Sequence, residues 1–264
     1  VQATLTVKVL EVGQHSGMAS GMVASSFRVL RTLLDRLEDA ETGEVRVSAM
    51  HVDIPEGRVA EVRETVAAAP GAVRGALPLT PGVSLVSDDE VELTLNGTWR
   101  PTLSITGADG LPKPDDAGNV LRSATSLCLS FRLPPMTDSA AALAEVRKLL
   151  TTDVPYGASV ELSRTEHADG WNAPELAPWL SGALDLLSER IFGAPWRTLG
   201  LGGSIPFMSL LHEAYPQAQF VITGALGPDS NAHVPDESLH LPYVAKVTEA
   251  IAVLLHAHAS ISFG

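Results

Sequence analysis

The sequence has a single cysteine, Cys128, among its 264 residues, and it has no long uninterrupted apolar run. One cysteine cannot form a disulfide within the chain. This excludes a disulfide-stabilised secreted scaffold, and we expect a reducing, cytoplasmic location. No apolar run reaches the ~18 residues that a membrane-spanning helix needs, and no basic and then apolar leader opens the chain. The sequence therefore predicts no membrane partner.

Basic residues are also scarce, since 18 Lys and Arg stand against 31 Asp and Glu and give a formal net charge of −13. A chain this acidic is repelled by phosphate backbones and anionic lipid surfaces, so we expect no nucleic-acid partner. Apolar residues reach 45%, enough for one large domain or two of ordinary size. The first residue is Val1 rather than Met, and a strand pattern follows at once. We therefore expect the chain to begin inside a longer gene product.

The first 165 residues switch between the periodicities of strands and helices. Strands are predicted at 4–12, 103–106, 127–133 and 160–162, and helices at 22–39 and 143–150, with Asp138 as a helix cap. The apolar face of the first helix is predicted to comprise Val23, Phe27, Leu30, Leu34 and Leu37. The order β-α-β-β-α-β predicts an α/β (α+β) fold of the ferredoxin-like, split β-α-β type over residues 1–165. Within it, residues 43–98 form an insertion that reads as strand-like at 45–47, helical at 59–68 and loop around 70–82.

The rest of the chain, residues 166–264, has a different pattern. A helix is predicted over 176–191, a strand at 220–222 and a last helix with Leu241, Val244, Thr248, Ile251 and Leu255 on its apolar face. These strands are too few to close a parallel sheet. This part is therefore predicted to be an incomplete α/β segment.

A loop rich in Gly, Pro, Asp, Ser and Asn occupies residues 224–237, between the predicted strand and the last helix. Loops at this position frequently carry functional residues. Its one imidazole, that of His233, suits metal binding or proton transfer near neutral pH. The alternative is an ordinary surface loop with an incidental histidine.

Two other functions are suggested by the glycine-rich turn at 200–206. Gly200-x-Gly202-Gly203 begins like a dinucleotide-binding fingerprint, but Ile205 stands where the third glycine belongs, which excludes it. Ser204, Asp229 and His233 follow the order of a serine-hydrolase triad. Pro206 replaces the glycine that a nucleophile turn needs, so a serine hydrolase is a remote alternative.

Five motifs, in order, resemble those of the M20 metallopeptidases, a family of carboxypeptidases, carnosine-type dipeptidases, deacylases and amidohydrolases. They are His15-Ser-Gly17, Trp99-Arg-Pro-Thr-Leu-Ser-Ile-Thr-Gly107, Asn119-Val-Leu with Ser130-Phe-Arg132-Leu-Pro-Pro135, Gly202-Gly203-Ser204-Ile-Pro206, and the loop around His233. Together they span nearly all of residues 1–259. The resemblance implies that residues 1–165 are the lid, or dimerisation, domain and that residues 166–264 are the C-terminal segment of the catalytic domain.

The resemblance implies roles for three residues of the lid domain. His15 would donate a hydrogen bond to the oxyanion of a tetrahedral intermediate, which suits an imidazole in a Ser/Gly-rich loop. Asn119 would bind substrate. Arg132 would bind the carboxylate of the substrate, because a planar guanidinium pairs with carboxylates in a bidentate way. Without the resemblance, an ordinary surface arginine in an ion pair is equally expected.

In the C-terminal segment, Gly203 and Ser204 would present backbone amides or a hydroxyl to the substrate, and His233 would be a zinc ligand. The complete enzyme would hold two zinc ions and activate a water. It would hydrolyse a peptide or amide bond next to a free carboxylate, in a peptide or an N-acyl amino acid. The lid is expected to form a homodimer in which His15 reaches the site of the partner subunit.

Departures from the family pattern are equally informative. The family also needs a His-x-Asp motif, a bridging Asp, a Glu-Glu pair and another carboxylate, and the sequence contains no two consecutive glutamates. His51-Val-Asp53 imitates the His-x-Asp motif but lies inside the predicted insertion, so we interpret it as unrelated to metal. Leu201 stands where the dipeptidase branch often has Glu. We therefore expect this chain alone to be inactive, with a non-catalytic dimerisation or binding module as the alternative.

Overall fold

The computed structural model describes residues 1–201, 206–227, 230–231 and 235–260. The chain folds into two compact units. The first unit comprises Val1–Glu56, Glu92–Trp171 and Gly200–Ser209. The second comprises Gly57–Val91, Asn172–Leu199 and Leu210–Gly264. Among the described residues, no helix combines the length and the apolar character needed to cross a membrane.

The fold is mixed α/β with antiparallel sheets. In chain order, the strands are β1 (Gln2–Lys8), β2 (Gln14–His15), β3 (Thr102–Asp109), β4 (Val120–Leu121), β5 (Ala124–Arg132) and β6 (Ser159–Glu166). The α-helices are α1 (Ser16–Ala19), α2 (Ser26–Leu34), α3 (Glu56–Ala68), α4 (Ala72–Gly75), α5 (Glu90–Thr98), α6 (Ser139–Thr151), α7 (Pro178–Leu187), α8 (Pro206–Ala214) and α9 (Leu241–Ala259).

Four of the strands form the sheet of the first unit, in the order β3-β5-β1-β6. β1 lies in the middle and pairs antiparallel with β5 on one side and β6 on the other. β3 pairs antiparallel with the far side of β5. Because α2 and α6 stand in the two strand connections that skip a neighbour, this order is the split β-α-β arrangement of ferredoxin-like folds. The predicted fold is confirmed.

The core of the first unit lies between this sheet and the two helices. Alternate residues of β1, namely Ala3, Leu5 and Val7, point into it because side chains of a strand alternate between the two faces of the sheet. Helix α2 begins after Ser25, whose hydroxyl accepts a hydrogen bond from the Arg28 amide. The core also contains Val29, Leu30, Leu33 and Leu37 from α2 and the turn after it, Ala142, Val146 and Leu150 from α6, and Leu127, Leu129 and Phe131 from β5.

The predicted face of α2 needs a correction. Phe27, expected in the core, is 41% exposed, whereas Val29 and Leu33 are fully buried. The centre of the buried face is therefore rotated about the helix axis by more than ~45° from the centre of the predicted face. Phe27 instead lies below the guanidinium of Arg31, 5.9 Å from the ring centroid, a cation–π contact that stabilises an aromatic ring at the surface. The helix also ends at Leu34, earlier than predicted.

The predicted insertion, residues 43–98, is divided between the two units. The strand predicted at 45–47 is wrong, since Val45 makes one isolated bridge with Glu38 and then leads into a short 3-10 helix, Ser48–Met50. The helix predicted at 59–68 is confirmed as α3, and residues 57–91 belong to the second unit. The boundary between residues 165 and 166 stays a prediction.

The second unit contains helices and no strand among its described residues. α7 continues into a π-helical turn, Ser188–Phe192, so the helix predicted over 176–191 is confirmed. The strand predicted at 220–222 is wrong, and Ile222 is 60% exposed. A strand exists only beside another strand, because its amides and carbonyls must pair across a ladder. Apolar residues at 220–222 have no such neighbour in the described part of this unit.

The last predicted helix is confirmed as α9, but its apolar face is not the predicted one. Leu241, Ile251 and Leu255 are exposed. The half-buried positions of α9 are Val244, Val247, Ala250, Leu254 and Ala257. These recur at intervals of three and four residues, as expected for one helix face in partial contact with the unit.

Candidate functional site

A two-stranded ladder brings His15 and Asn119 together, although 104 positions separate them in the sequence. β2 pairs antiparallel with β4, so that Gln14 lies opposite Leu121 and His15 opposite Val120. The Ser16 amide then donates to the Asn119 carbonyl at 2.8 Å. Of the predicted site residues, these two are therefore neighbours.

The ladder is anchored to the main sheet. β1 and β5 end their pairing at Lys8 and Ala124, and the Val9 amide continues it by donating to the Ser123 carbonyl at 2.8 Å. Gly13 lets the two short strands approach, because a Cβ on it would lie 3.0 Å from Val120 Cγ1. The position of His15 is thus set by the end of the sheet.

The His15 side chain is exposed, and its ring is oriented by the main chain. Nδ1 accepts a hydrogen bond from the Gly17 amide at 3.1 Å, which also caps α1. A ring nitrogen that accepts from an N–H carries no proton itself, so in the neutral ring the proton is on Nε2. His15 therefore presents one N–H donor away from its own loop, the chemistry that an oxyanion needs.

Arg132 is not brought to the same place. It is the last residue of β5, exposed, and pairs in register with Thr102 of β3. It lies eight residues beyond Ala124, which is about 26 Å at ~3.3 Å per residue. The His15 ladder adjoins the Ala124 end. In the described part of the chain, no carboxylate forms an ion pair with Arg132, so its guanidinium is available to a ligand.

The remaining predicted site residues are Gly203, Ser204 and His233, and they lie outside the described residues. Asp229 of the serine-hydrolase alternative also lies outside them. The geometry of the zinc ligand and of that triad therefore stays a prediction.

His51 has a structural contact in place of a metal. Its Nε2 donates to the Val45 carbonyl at 2.6 Å, which closes the turn that holds Val45 in the core. Asp53, two residues on, is exposed. Among the residues that the structure describes, no group of three or more His, Cys, Asp or Glu could hold a metal ion. The interpretation that His51-Val-Asp53 is unrelated to metal stays a prediction.

One polar cluster was not predicted. The Ser139 amide donates to Asp169 Oδ1 at 2.9 Å, and the Ser139 hydroxyl lies 3.0 Å from His167 Nδ1. Hydrogen bonds from the hydroxyl and amide of Ser139 lower the pKa of the Asp169 carboxyl, against a smaller effect of burial. Asp169 binds the serine rather than the histidine, which is not the order of a nucleophilic triad. The cluster ties the segment after β6 to the start of α6.

The sequence signal for this tie is Gly170. A Cβ on Gly170 would lie 2.9 Å from Pro135 Cα, so the segment packs directly against the Pro134-Pro135 turn. The glycine marks a close approach of two backbones.

Comparison with known proteins identifies the family. The family model described as "Peptidase dimerisation domain", of the M20 peptidases, matches residues 2–158. The chain belongs to this family. The match includes β1, the His15 ladder, β3, β5 and α6, and it confirms the resemblance drawn from the sequence motifs.

A curated relative extends the similarity over nearly the whole chain. The cysteinylglycine-S-conjugate dipeptidase of Corynebacterium striatum is 25% identical over 257 residues, which cover 96% of this chain and 54% of that protein. This M20 chain thus spans about half the length of the curated relative that it matches.

Solved structures of M20 peptidases share the fold. The carboxypeptidase Sso-CP2 of Sulfolobus solfataricus matches with a TM-score of 0.72 at 16% identity, over 95% of this chain and 57% of that one. The di-peptidase Dug1p of Saccharomyces cerevisiae matches with 0.68 at 18% identity, over 98% and 54%. Human carnosine dipeptidase 1 matches with 0.68 at 19% identity, over 98% and 55%. At these identities the likeness concerns the fold alone.

Proposed function

We propose that this chain is the lid and the C-terminal part of the catalytic domain of an M20-type zinc peptidase. The complete enzyme hydrolyses a peptide or amide bond next to a free carboxylate, in a dipeptide or an N-acyl amino acid. The observation that carries the proposal is the His15–Asn119 ladder at the end of a ferredoxin-like sheet. The ladder holds the exposed His15, as a hydrogen-bond donor to substrate, on the dimerisation domain of a peptidase family.

In this proposal, His15 and Arg132 act on opposite ends of a substrate. His15 donates from Nε2 to the developing oxyanion, where a preorganised donor lowers the barrier. Arg132 binds the carboxylate through two parallel hydrogen bonds. Asn119 contacts the substrate next to His15, and Gly203 and Ser204 present polar groups from the C-terminal segment.

The two ends of β5 are too far apart for one substrate. Two residues in extended conformation span about 7 Å, whereas β5 carries Arg132 about 26 Å from the end where the His15 ladder begins. This supports a homodimer in which His15 of one subunit serves the site that contains Arg132 of the other. The single, partly buried Cys128 fits a cytoplasmic location for this dimer.

Zinc is the cofactor that the family implies. His233 is the ligand that this chain would contribute, and the described residues do not complete a zinc site. A catalytic zinc typically has about three protein ligands. We therefore propose that the other ligands come from a segment outside this chain.

Isothermal titration of this chain with zinc tests that proposal. Weak binding and no cleavage of dipeptides are expected, because one histidine cannot hold the ion alone. A His233→Ala variant serves as the control for binding by His233. Tight stoichiometric zinc in this chain would contradict the proposal and return His51 and Asp53 as ligand candidates.

A second candidate is a non-catalytic dimerisation or binding module of the same family. It is favoured by the lack of any metal-binding cluster among the described residues. The reading frame upstream of Val1 distinguishes the two functions. A His-x-Asp motif and a Glu-Glu pair encoded there support the enzyme, whereas an initiator codon next to Val1 supports the module.

A further inference from the structure

The imidazole of His15 is held by the main chain two residues later. The Gly17 amide donates to His15 Nδ1 at 3.1 Å, so the donor belongs to the main chain rather than to another side chain. A hydrogen bond to one ring nitrogen decides which tautomer the ring adopts. The amide of Gly17 therefore directs the ring proton to Nε2.

Gly17 also leaves the space in which the ring lies. A Cβ on Gly17 would lie 3.1 Å from Cε1 and 3.2 Å from Nδ1 of His15. These distances are shorter than ordinary van der Waals contacts. A side chain at this position would displace the ring by a few tenths of an ångström from its place against the amide.

The backbone itself does not require glycine here. Gly17 lies inside α1 and does not have a positive φ. Gly21 nearby has a φ of +86°, and nothing lies within 4 Å of the position that a Cβ on it would take. Gly21 is thus explained by its conformation. Gly17 is explained by its contact with the imidazole.

We propose that Gly17 is a positioning residue for His15. Its amide fixes the tautomer and its lack of a side chain fixes the ring orientation, so that Nε2–H projects as the donor. This inference rests on the proposed role of His15 as the oxyanion donor. In the reaction, Gly17 touches neither substrate nor metal and acts only through the imidazole.

Kinetics of the complete enzyme give the first test. Gly17→Ala is expected to lower kcat about tenfold or more with KM nearly unchanged, as part of the 10²–10³-fold effect of a single oxyanion donor. Gly57→Ala is the matched control. Gly57 is also the second residue of its helix, and a Cβ there meets nothing within 4 Å.

A double variant separates positioning from a structural role. If Gly17 acts only through His15, His15→Ala with Gly17→Ala loses no more activity than His15→Ala alone. A merely structural effect of Gly17→Ala would add to that of His15→Ala. Such additivity would overturn the inference.

The tautomer is measured directly in this chain, without the rest of the enzyme. Two-bond ¹H–¹⁵N correlation spectra identify the protonated ring nitrogen of each of the eight histidines, and His15→Asn assigns the His15 signal. At about pH 8.5, where an ordinary imidazole is neutral, we expect Nε2–H for His15, with Nδ1–H becoming populated in Gly17→Ala. Nδ1–H in the unaltered chain would overturn the inference.

Different results would contradict the role of His15 in catalysis and the role of Gly17 in positioning its ring. If His15→Ala leaves kcat unchanged, the proposed role of His15 in catalysis is wrong, whereas the spectra still report on Gly17 and the ring. If Gly17→Ala leaves both the ring signals and kcat unchanged while His15→Ala is impaired, Gly17 has no positioning role although His15 is the donor.

Discussion

At the scale of single residues, Arg132 and His15 differ in how their side chains are held. His15 is fixed by a main-chain hydrogen bond, whereas no ion pair with a described carboxylate holds Arg132 at the end of its strand. A fixed donor suits a transition state, since it needs no reorganisation when charge develops. An exposed guanidinium that no described carboxylate engages suits capture of a charged substrate group.

We predict that Arg132→Lys raises the KM of the complete enzyme for substrates with a free carboxylate. Lysine keeps the charge and loses the bidentate geometry, and kcat/KM should fall about 10- to 100-fold if one charge-assisted hydrogen bond of ~1.5–3 kcal/mol is lost. The measurement compares a dipeptide with its C-terminal amide. Arg147→Lys, exposed on α6, is the control variant. Equal losses for the acid and the amide would contradict the assignment.

The sequence motifs indicated His15, Asn119 and Arg132, but their arrangement could not be predicted from them. The pairing of β2 with β4 involves two residues in each strand, too short for any periodicity to show a register. The hydrogen bond between Asp169 and Ser139 also joins positions 30 residues apart. Contacts of this kind depend on the fold rather than on local patterns.

At the scale of elements, Glu145 joins helix α6 to the 3-10 helix Ser48–Met50. Its carboxylate accepts hydrogen bonds from the Ser48 amide at 3.1 Å, the Ser48 hydroxyl at 2.8 Å and the Ala49 amide at 2.7 Å. Burial alone would raise the pKa of the Glu145 carboxyl, but these bonds from Ala49 and Ser48 lower it below its ordinary value. The carboxylate thus caps one helix from another.

We predict that Glu145→Ala lowers the free energy of unfolding by about 1–2 kcal/mol, as for loss of a helix cap. Because the folded pKa is depressed, the stabilisation is present above the ordinary pKa of glutamate and is lost as the pH falls through the folded value. Urea unfolding at several pH values measures it. Glu161→Ala, exposed on β6, is the control. A difference between Glu145→Ala and the unaltered chain that persists at the lowest pH would contradict the prediction.

Helices and strands were predicted correctly where the apolar periodicity of the sequence matches the residues that the structure buries. The alternation in β1 and β5 and the capping aspartate of α6 gave correct elements, because each is a local signal of sheet or helix geometry. The strand at 220–222 failed because pairing partners decide whether an apolar run becomes a strand. The predicted faces of α2 and α9 failed because each helix has more apolar residues than its packing buries, and tertiary packing selects among them.

At the scale of the whole molecule, the sheet of the first unit offers edges for assembly. β3 and β6 lie at the two edges, each paired on one side only. Ile105 of β3 is 44% exposed, and Met22, which follows α1, is 79% exposed. Unpaired edges and exposed apolar residues are typical of surfaces that associate.

We predict a homodimer through residues 1–165. Sedimentation equilibrium at micromolar concentration should give a dimer mass for the unaltered chain. Ile105→Lys should shift the equilibrium toward monomer, since a charge on an edge strand opposes pairing with a second strand. Val86→Lys, which changes an exposed residue of the second unit, is the control. A monomer mass for the unaltered chain would contradict the prediction.

The last prediction concerns His15 acting between subunits. In the complete enzyme, His15→Ala should lower kcat on the order of 10²–10³-fold with a much smaller change in KM, because an oxyanion donor acts mainly in the transition state. The length of β5 also keeps His15 and Arg132 of one chain too far apart to serve the same site. Each site then draws His233 from one chain and His15 from the other.

Mixed dimers test whether His15 acts in the site of the partner subunit. A His15→Ala subunit paired with a His233→Ala subunit has one site with both histidines and one site with neither. Such a heterodimer should regain one working site, while each homodimer of a single variant stays impaired. Differently tagged subunits allow the heterodimer to be purified before its activity is measured. Because a site built within one chain would lack a histidine in both subunits, a purified heterodimer without activity would show that His15 does not act across the interface.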